Sequence, residues 1–331
     1  MRTIKSVAAS QPTSDPPSHR WGVVLAGGDG VRLRPLTRFV SGDERPKQFC
    51  PLFDGGVSLV GRTRERISRL IPSARTLFPV TRSHERFYAE ELTDARDHLI
   101  VQPANRGTAP PIAFSLLSIA DIDPDAVVAI LPSDHYYSDD ARFTATLEQA
   151  FEVSEQDRDT ITLIAASPTH PETEFGWIET AAIPDRHQAD LFRVQTFHEK
   201  PSREVARFLF QSDSLWNTFV MVGHVCAFLS LVRAASPGLL NAIRMAPLWA
   251  GCETHLSDSL YRILDPVDFS REILSTNPAD LLALRLTGVE WSDLGDPGRA
   301  LAALARDHRQ PDWVRSWRPS IALQTPFAAT A

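Results

Sequence analysis

Continuous apolar runs alternate with helical patterns along the first half of the chain. Trp21–Ala26 and Thr160–Ala166 have the short, uninterrupted apolar character of buried strands. Between such runs, Ser58–Ile71 places apolar residues at helical spacing, and Gly107–Ile122 is apolar enough for a buried helix whose prolines lie in its first turn. The alternation predicts an α/β fold with a mostly parallel, doubly wound sheet.

The pattern changes after Pro168. The stretches FGWIET, LFRVQTFHEK and LWNTFVMV predict mixed or antiparallel strands. Helical patterns return at Ser202–Phe210 and Cys226–Ala235, and again between Leu239 and Leu284. We therefore expect the second half of the chain to add antiparallel strands to the sheet.

No internal repeat and no strong linker divides the chain into independent domains. Residues 1–18, rich in Ser, Pro and Thr, are predicted to form a flexible leader. Residues 19–310 are predicted to form one large domain, and residues 311–331 an irregular C-terminal tail.

Composition and charge argue against several classes of protein. The net charge of −7 and the pI near 5.8 give no basic footprint for nucleic acid. No apolar run has the length of a membrane span, and the apolar stretch near the N-terminus is too short for a signal peptide. Cys50, Cys226 and Cys252 lack metal-binding spacing and cannot form a full disulfide framework. We therefore expect a cytoplasmic protein with neither nucleic acid nor a membrane as a partner.

The use of basic residues is strongly biased. Among 34 basic residues the only lysines are Lys5, Lys47 and Lys200, and Lys5 lies in the predicted leader. A lysine retained against this bias indicates a position that needs a compact ammonium group rather than a planar guanidinium. Lys47 and Lys200 are therefore candidates for functional residues.

Polar clusters follow three of the predicted strands. They are Gly27–Arg34, Pro132–His135 and Trp291–Asp293. In open parallel sheets, ligands bind beyond the carboxyl ends of the strands. These clusters are therefore the expected lining of a binding site.

The first cluster resembles two known phosphate-binding loops but matches neither. A dinucleotide loop beginning at Gly28 would need a third glycine where Leu33 stands, which disfavours a dinucleotide oxidoreductase. No Gly-Lys-Ser/Thr follows, so the P-loop pattern fails too. What remains is a run of glycines followed by Arg32, suited to close backbone approach and to binding a charged ligand.

Eight motifs taken together resemble those of sugar-phosphate nucleotidyltransferases, and most closely those of mannose-1-phosphate guanylyltransferases. In chain order they are LAGGDGVRLRPLTR, RPKQFCPL, RGTAPPI, LPSDH, PETEFGWI, FHEKP, LWN and VEWSDLG, and the match spans roughly residues 21–297. The resemblance implies a Rossmann-like, mainly parallel mixed sheet with a small antiparallel sugar-binding portion. It also implies transfer of a nucleoside monophosphate from a nucleoside triphosphate to a sugar-1-phosphate, with release of pyrophosphate. GTP and mannose-1-phosphate are the favoured substrates, and the resemblance allows a homodimer.

The resemblance also implies roles for individual residues. Arg32 is expected at the β- and γ-phosphates and Lys47 near the reacting phosphate. Asp134 and Asp293 are expected to hold Mg²⁺ between them, and His135 is either a packing residue or a support for the site. The nucleotide is expected to contact Leu25, Ala26, Gly27, Gly28, Gly30, Arg106, Thr108 and Ala109. The sugar phosphate is expected to contact Gly176, Glu199, Lys200 and Asn217.

Three departures from the guanylyltransferase pattern leave the base and the sugar open. Arg34 replaces a tryptophan of the glycine loop, Gly107 replaces an asparagine, and Phe219 stands where a small residue is usual. One alternative is the same chemistry with glucose-1-phosphate and UTP or dTTP. Another is a catalytically silent homologue that binds nucleotide-sugars, which the retention of the predicted metal pair and both body lysines disfavours.

Overall fold

The computed structural model describes residues 19–53, 55–183, 190–307 and 310–318. The predicted leader lies outside these residues, as does the predicted tail from residue 319 onward. The strands are β1 Arg20–Leu25, β2 Thr76–Thr81, β3 Leu99–Gln102, β4 Val127–Pro132, β5 Tyr136–Tyr137, β6 Ile161–Ala166, β7 Gly176–Ala182, β8 Leu191–Glu199, β9 Leu215–His224, β10 Thr254–His255, β11 Leu281–Leu286 and β12 Trp291–Ser292.

Helices separate most of these strands. They are α1 Arg34–Ser41, α2 Leu59–Ile67, α3 Glu85–Glu91, α4 Ala109–Ile122, α5 Asp140–Gln156, α6 Arg203–Gln211, α7 Val225–Ala235, α8 Pro237–Ile243, α9 Asp258–Ile263, α10 Pro297–Arg306 and α11 Trp313–Ser316. Short 3₁₀ turns form at Val31–Leu33 and Lys47–Phe49, and a five-residue π-helix forms at Phe269–Ile273.

One large mixed sheet organises the molecule, in the order β10-β3-β2-β1-β4-β9-β6-β11-β8-β7. Every pairing within the run β10-β3-β2-β1-β4 is parallel, and β6 is parallel to β11. Strand β9 is antiparallel to β4 and β6, and β7 and β8 are antiparallel to their partners. The α/β class and the mixed sheet are confirmed. Half of the pairings in the described part of this sheet are antiparallel, so it is more evenly mixed than the "mainly parallel" sheet expected.

The two faces of the sheet are covered by different helices. One core contains buried residues of α4, α7 and α8, such as Phe114, Phe228 and Leu240. The core on the other face contains residues of α2 and α5, such as Ile67 and Phe143. This arrangement leaves the carboxyl ends of β1 and β4 uncovered at one edge.

Two sequence predictions are wrong in detail. Leu281–Leu286 is a strand between β6 and β8, although it falls in the span predicted to be helical. This short, mostly apolar and buried run, LLALRL, is compatible with either structure, and its neighbours in the sheet decide which one forms. Within the predicted irregular tail, Trp313–Ser316 forms a turn of helix, because Trp317 is buried in a small core with Leu33 and Leu36.

No single helix in the described ranges is both long and apolar enough to cross a membrane; only the bent pair α7–α8, with 117° between its helices, meets that test of length and composition.

Candidate active site

Two neighbouring cavities open at the carboxyl ends of β1 and β4. The first, the charged cavity, has a volume of about 300 Å³, and the second, the glycine cavity, about 280 Å³. Leu25, Gly28 and Thr108 line both. The charged cavity also brings together seven residues predicted from the sequence, which are Arg32, Asp134, Gly176, Glu199, Lys200, Asn217 and Asp293.

The glycine loop is held by a residue to which sequence reasoning gave no role. Gln48 is buried, and its Nε2 donates hydrogen bonds to the carbonyl oxygens of Ala26 (2.9 Å) and Gly28 (2.8 Å). Gly30 has a φ of 55°, and a Cβ atom there would lie 3.3 Å from the backbone nitrogen of Lys47. The loop and the Lys47–Gln48 segment therefore pack as one unit.

Lys47 lies between the two predicted metal ligands. Its Nζ donates to the backbone oxygen of Asp293 at 2.5 Å and lies 3.2 Å from Oδ2 of Asp134. The Lys47 side chain is 12% exposed and that of Asp134 is 20% exposed. An ammonium held between fixed oxygens in a partly dry site is a strong and preorganised positive charge.

His135 has the contacts of a packing residue. Its Nδ1 accepts a hydrogen bond of 3.2 Å from the indole N–H of Trp291, against which its ring packs edge to face. Burial lowers the pKa of His135 to about 4, although Asp134 opposes the shift. The imidazole is therefore neutral near pH 7, and its Nε2 lies 3.7 Å from Oδ1 of Asp134.

Asp293 is held by an arginine that sequence reasoning missed. Its Oδ1 accepts from the backbone N–H of Gly295 at 2.9 Å and from Nη1 of Arg299 at 3.1 Å. Its Oδ2 accepts from the same Nη1 at 3.3 Å. The sequence offered one signal, since Arg299 follows a predicted functional aspartate by six residues.

Arg32 pairs across the mouth of the charged cavity. Its Nη1 lies 2.9 Å from Oε2 of Glu174, and the two side chains are 55% and 47% exposed. Both residues line the cavity. Because the pair is exposed, replacing Glu174 with another anion at the guanidinium costs little free energy.

The sugar-binding residues predicted from the sequence lie close together at the ends of β7, β8 and β9. A Cβ atom at Gly176 would lie 2.9 Å from Oε2 of Glu199 and 3.3 Å from Cβ of Asn217. Burial raises the pKa of Glu199 to about 7, Asp268 adds to the shift, and Lys200 opposes it. A proton on this carboxyl group near neutral pH would make it both a donor and an acceptor for hydroxyl groups.

Backbone strain concentrates around the same cavity. In the part of the chain that the structure describes, the non-glycine residues with positive φ are Lys200, Asp213, Phe219 and Leu294. Lys200 and Phe219 line the charged cavity, and Leu294 directly follows Asp293. Residues held in this region cost about 1–3 kcal/mol each and cluster at functional sites. Three of these four residues therefore lie in or directly beside the charged cavity.

The residues near the start of α4 that were predicted to contact the nucleotide have two different roles. Thr108 lines both cavities, and its Oγ1 accepts from the backbone N–H of Phe269. Arg106 donates to the carbonyl of Tyr261, and Ala109 is buried and donates its N–H to the carbonyl of Val267. Arg106 and Ala109 are absent from the described lining of either cavity, and they hold the 261–269 segment in place.

The glycine cavity contains three polar residues that sequence reasoning missed, which are Gln102, Asn105 and Asp268. Gln102 ends β3, and its Oε1 accepts from the hydroxyl of Tyr261 at 2.9 Å. Its amide nitrogen faces Gly27, 2.9 Å from where a Cβ atom would be. Asp268 caps the π-helix and lines the same cavity. Gln102 could have been found from its place at the end of a predicted strand, whereas Asp268 lies in an irregular segment without a signal.

Comparison with known proteins gives consistent matches. The sequence profile described as Nucleotidyl transferase matches residues 21–234. Mannose-1-phosphate guanylyltransferase 2 of Escherichia coli O157:H7 is 27% identical over 295 residues, and the mannose-1-phosphate guanylyltransferase of Salmonella muenchen is 30% identical over 293 residues. Each match covers 82% of this chain and 57% of the relative, so the chain spans little more than half the length of these curated relatives. The crystal structure of a mannose-1-phosphate geranyltransferase from Thermus thermophilus, 25% identical, superposes with a TM-score of 0.74 over 87% of this chain and 80% of that one.

Proposed function

The chain belongs to the nucleotidyl transferase family, and from this premise we propose that it transfers a nucleoside monophosphate from a nucleoside triphosphate to a sugar-1-phosphate. The favoured substrates are GTP and mannose-1-phosphate, and the products are GDP-mannose and pyrophosphate. One observation carries the proposal. Lys47 bridges the carboxylate of Asp134 and the backbone of Asp293 beside a glycine loop, where two cavities share a wall.

The charged cavity suits an in-line displacement at phosphorus. An oxygen of the sugar phosphate forms a bond to the α-phosphorus while the bond to the pyrophosphate oxygen breaks. Lys47 would stabilise the charge on the α-phosphoryl oxygens, and Arg32 would bind the leaving pyrophosphate. Gln48 holds the loop by the carbonyl oxygens of Ala26 and Gly28, so it does not compete with the triphosphate for the loop's N–H groups.

The donor set fits Mg²⁺. Asp134 and Asp293 present carboxylate oxygens to one cavity, and Mg²⁺ in proteins is commonly held by one or two carboxylates together with substrate phosphates. No group of three or more His, Cys, Asp or Glu side chains that could hold a metal occurs within the described ranges. The substrate phosphates would therefore supply the remaining oxygens. When bound, Mg²⁺ neutralises charge that develops on the phosphoryl oxygens.

The other end of the charged cavity suits a sugar phosphate. Glu199 and Asn217 present polar groups for hydroxyls, and Lys200 presents an exposed ammonium for the phosphate. The close approach of Gly176 to Glu199 and Asn217 keeps the cavity open, since any side chain at that position would fill it.

A substrate matrix tests the proposal. We expect pyrophosphate release when GTP, UTP, dTTP and ATP are each paired with mannose-1-phosphate and glucose-1-phosphate, with GTP and mannose-1-phosphate the fastest pair. We expect Asp134→Ala to abolish release, while Asp139→Ala, the N-cap of α5 outside both cavities, retains it. Near-normal release by Asp134→Ala would refute the assigned site. Binding of GDP-mannose without release from any pair would instead indicate a silent homologue.

One observation favours a second pair of substrates. The ring of Phe219 lines the charged cavity at a position where the resemblance leads one to expect a small residue. A reshaped sugar pocket is compatible with glucose-1-phosphate and with UTP or dTTP as the nucleotide. If one of these pairs releases pyrophosphate as fast as GTP with mannose-1-phosphate, the chemistry stands and the named substrates are wrong.

A further inference from the structure

The side chain of Arg299 is held in place by several contacts. Asp296 caps α10 through its Oδ1, which accepts from the backbone N–H of Arg299 at 3.0 Å. The other oxygen of Asp296 accepts from Nε of Arg299 at 2.7 Å. The guanidinium packs over the ring of Phe175 at 4.9 Å, and the side chain is 17% exposed. These contacts fix the guanidinium so that its Nη1 reaches both oxygens of Asp293.

The contacts of Arg299 change the charge balance of the proposed metal site. Asp134 is paired with Lys47, and Asp293 is paired with Arg299. Each of the two carboxylates therefore has a cation beside it, and Arg299 shares its charge between Asp293 and Asp296. A divalent cation that binds this site alone must compete with two fixed positive charges.

An arginine side chain is not deprotonated in proteins, so Arg299 is a permanent positive charge beside Asp293. Gly295 also matters, because a Cβ atom there would lie 2.6 Å from Oδ2 of Asp293 and 3.1 Å from Nη2 of Arg299. The turn at Gly295 therefore leaves no room for a side chain beside the Asp293–Arg299 pair.

We propose that Arg299 is a positioning residue that serves as the internal counter-ion of Asp293, so that Asp134 and Asp293 bind a divalent cation strongly only together with an anionic substrate. The inference rests on the proposed function in one respect, since that function supplies the anionic triphosphate. With the triphosphate present, its charge offsets Lys47 and Arg299, and the carboxylates can then share the cation. Without it, Lys47 and Arg299 compete with a metal ion for the two carboxylates, and the site binds metals weakly.

Binding of Mn²⁺ to the full chain without nucleotide tests the proposal, with free Mn²⁺ measured by electron paramagnetic resonance. We expect Arg299→Gln to bind Mn²⁺ roughly tenfold or more tightly than the wild type. Arg299→Lys keeps the charge and should resemble the wild type. Arg306→Gln, on the same helix and paired with exposed Glu290, is the matched control and should leave the affinity unchanged.

The double variant Asp293→Asn with Arg299→Gln tests whether the gain in Mn²⁺ affinity acts through Asp293. We expect this double variant to lack the tighter Mn²⁺ binding of Arg299→Gln. Unchanged or weaker Mn²⁺ binding by a folded Arg299→Gln protein would overturn the proposal, because a purely structural role predicts that loss of Arg299 disorders Asp293. A gain that survives in the double variant would overturn it too. Folding is checked by circular dichroism. Since no turnover is measured, failure of the proposed function in the substrate matrix would leave this result standing.

Discussion

The carbonyl oxygen of Val267 lies only 2.3 Å from the position that a Cβ atom would take at Gly107. Gly107 also has a φ of 83°. Its amide N–H donates to Oδ1 of Asn105, while the neighbouring residues Arg106 and Ala109 bond to the backbone of Val267. Gly107, which departs from the guanylyltransferase pattern, is therefore required because the backbone of Val267 leaves no room for a side chain there.

We predict that Gly107→Ala destabilises the protein by about 2–5 kcal/mol, since left-handed φ costs about 1–2 kcal/mol and steric overpacking adds about 1–3. Gly251 is a matched control, because it has the same φ of 83° and open space around it. Gly251→Ala should therefore be destabilised only by the left-handed φ, by about 1–2 kcal/mol. Urea denaturation of both variants measures the difference, and equal losses would contradict the steric argument.

Gln48 should be needed as a donor rather than for its volume. Gln48→Glu keeps the shape but presents only acceptors to the carbonyl oxygens of Ala26 and Gly28. Unpaired buried groups cost about 1–3 kcal/mol each, so we expect both Gln48→Glu and Gln48→Ala to raise KM for the triphosphate by about tenfold or more. KM for the sugar phosphate should change much less. If Gln48→Glu behaves like the wild type, the hydrogen bonds do not hold the loop.

At Phe219 we expect the usual order of alanine and glycine stability in a strand to be reversed. In a strand interior, Gly is less stable than Ala by about 0.5–1 kcal/mol. Phe219 has a φ of 62°, where Ala is strained and Gly is not, so Phe219→Gly should be more stable than Phe219→Ala by about 1 kcal/mol. Buried Phe197 in β8 is the control, and there Ala should be the more stable replacement. Urea midpoints in the ordinary order at both positions would show that Phe219 is not strained.

The polar clusters at strand ends were predictable, but the contacts that hold them were not. Gly27–Arg34, Pro132–His135 and Trp291–Asp293 meet because the carboxyl ends of β1 and β4 lie at one edge and β12 is close by. The pairing of Arg32 with Glu174 joins residues 142 positions apart, and no local pattern encodes it. The place of β11 in the sheet likewise depends on its neighbours, because its short apolar run suits either a strand or a helix.

Stability should depend on the protonation of Glu199. Burial raises the pKa of Glu199 to about 7 from an ordinary 4.5, so the folded state keeps a proton that the unfolded state releases. The resulting stabilisation is complete below about pH 4.5 and is lost as the pH rises to about 7. We therefore expect Glu199→Gln to gain stability relative to the wild type between pH 5 and 7.5, measured by urea denaturation. Glu204→Gln, on the exposed face of α6, should follow the wild-type profile; the same profile for Glu199→Gln would refute the assignment.

Arg32 should bind the triphosphate in competition with Glu174. The two side chains form an exposed pair at 2.9 Å, and such pairs are worth about 0–1 kcal/mol. Glu174→Gln removes the competitor, so we expect KM for the triphosphate to fall by about two- to fivefold. Arg32→Ala removes a charge-assisted contact with phosphate and should raise the same KM by about tenfold or more. The double variant decides between competition and a direct role for Glu174. If Glu174 acts only through Arg32, then Glu174→Gln has no further effect once Arg32 is alanine. A further fall in KM in the double variant would mean that Glu174 repels the triphosphate by itself.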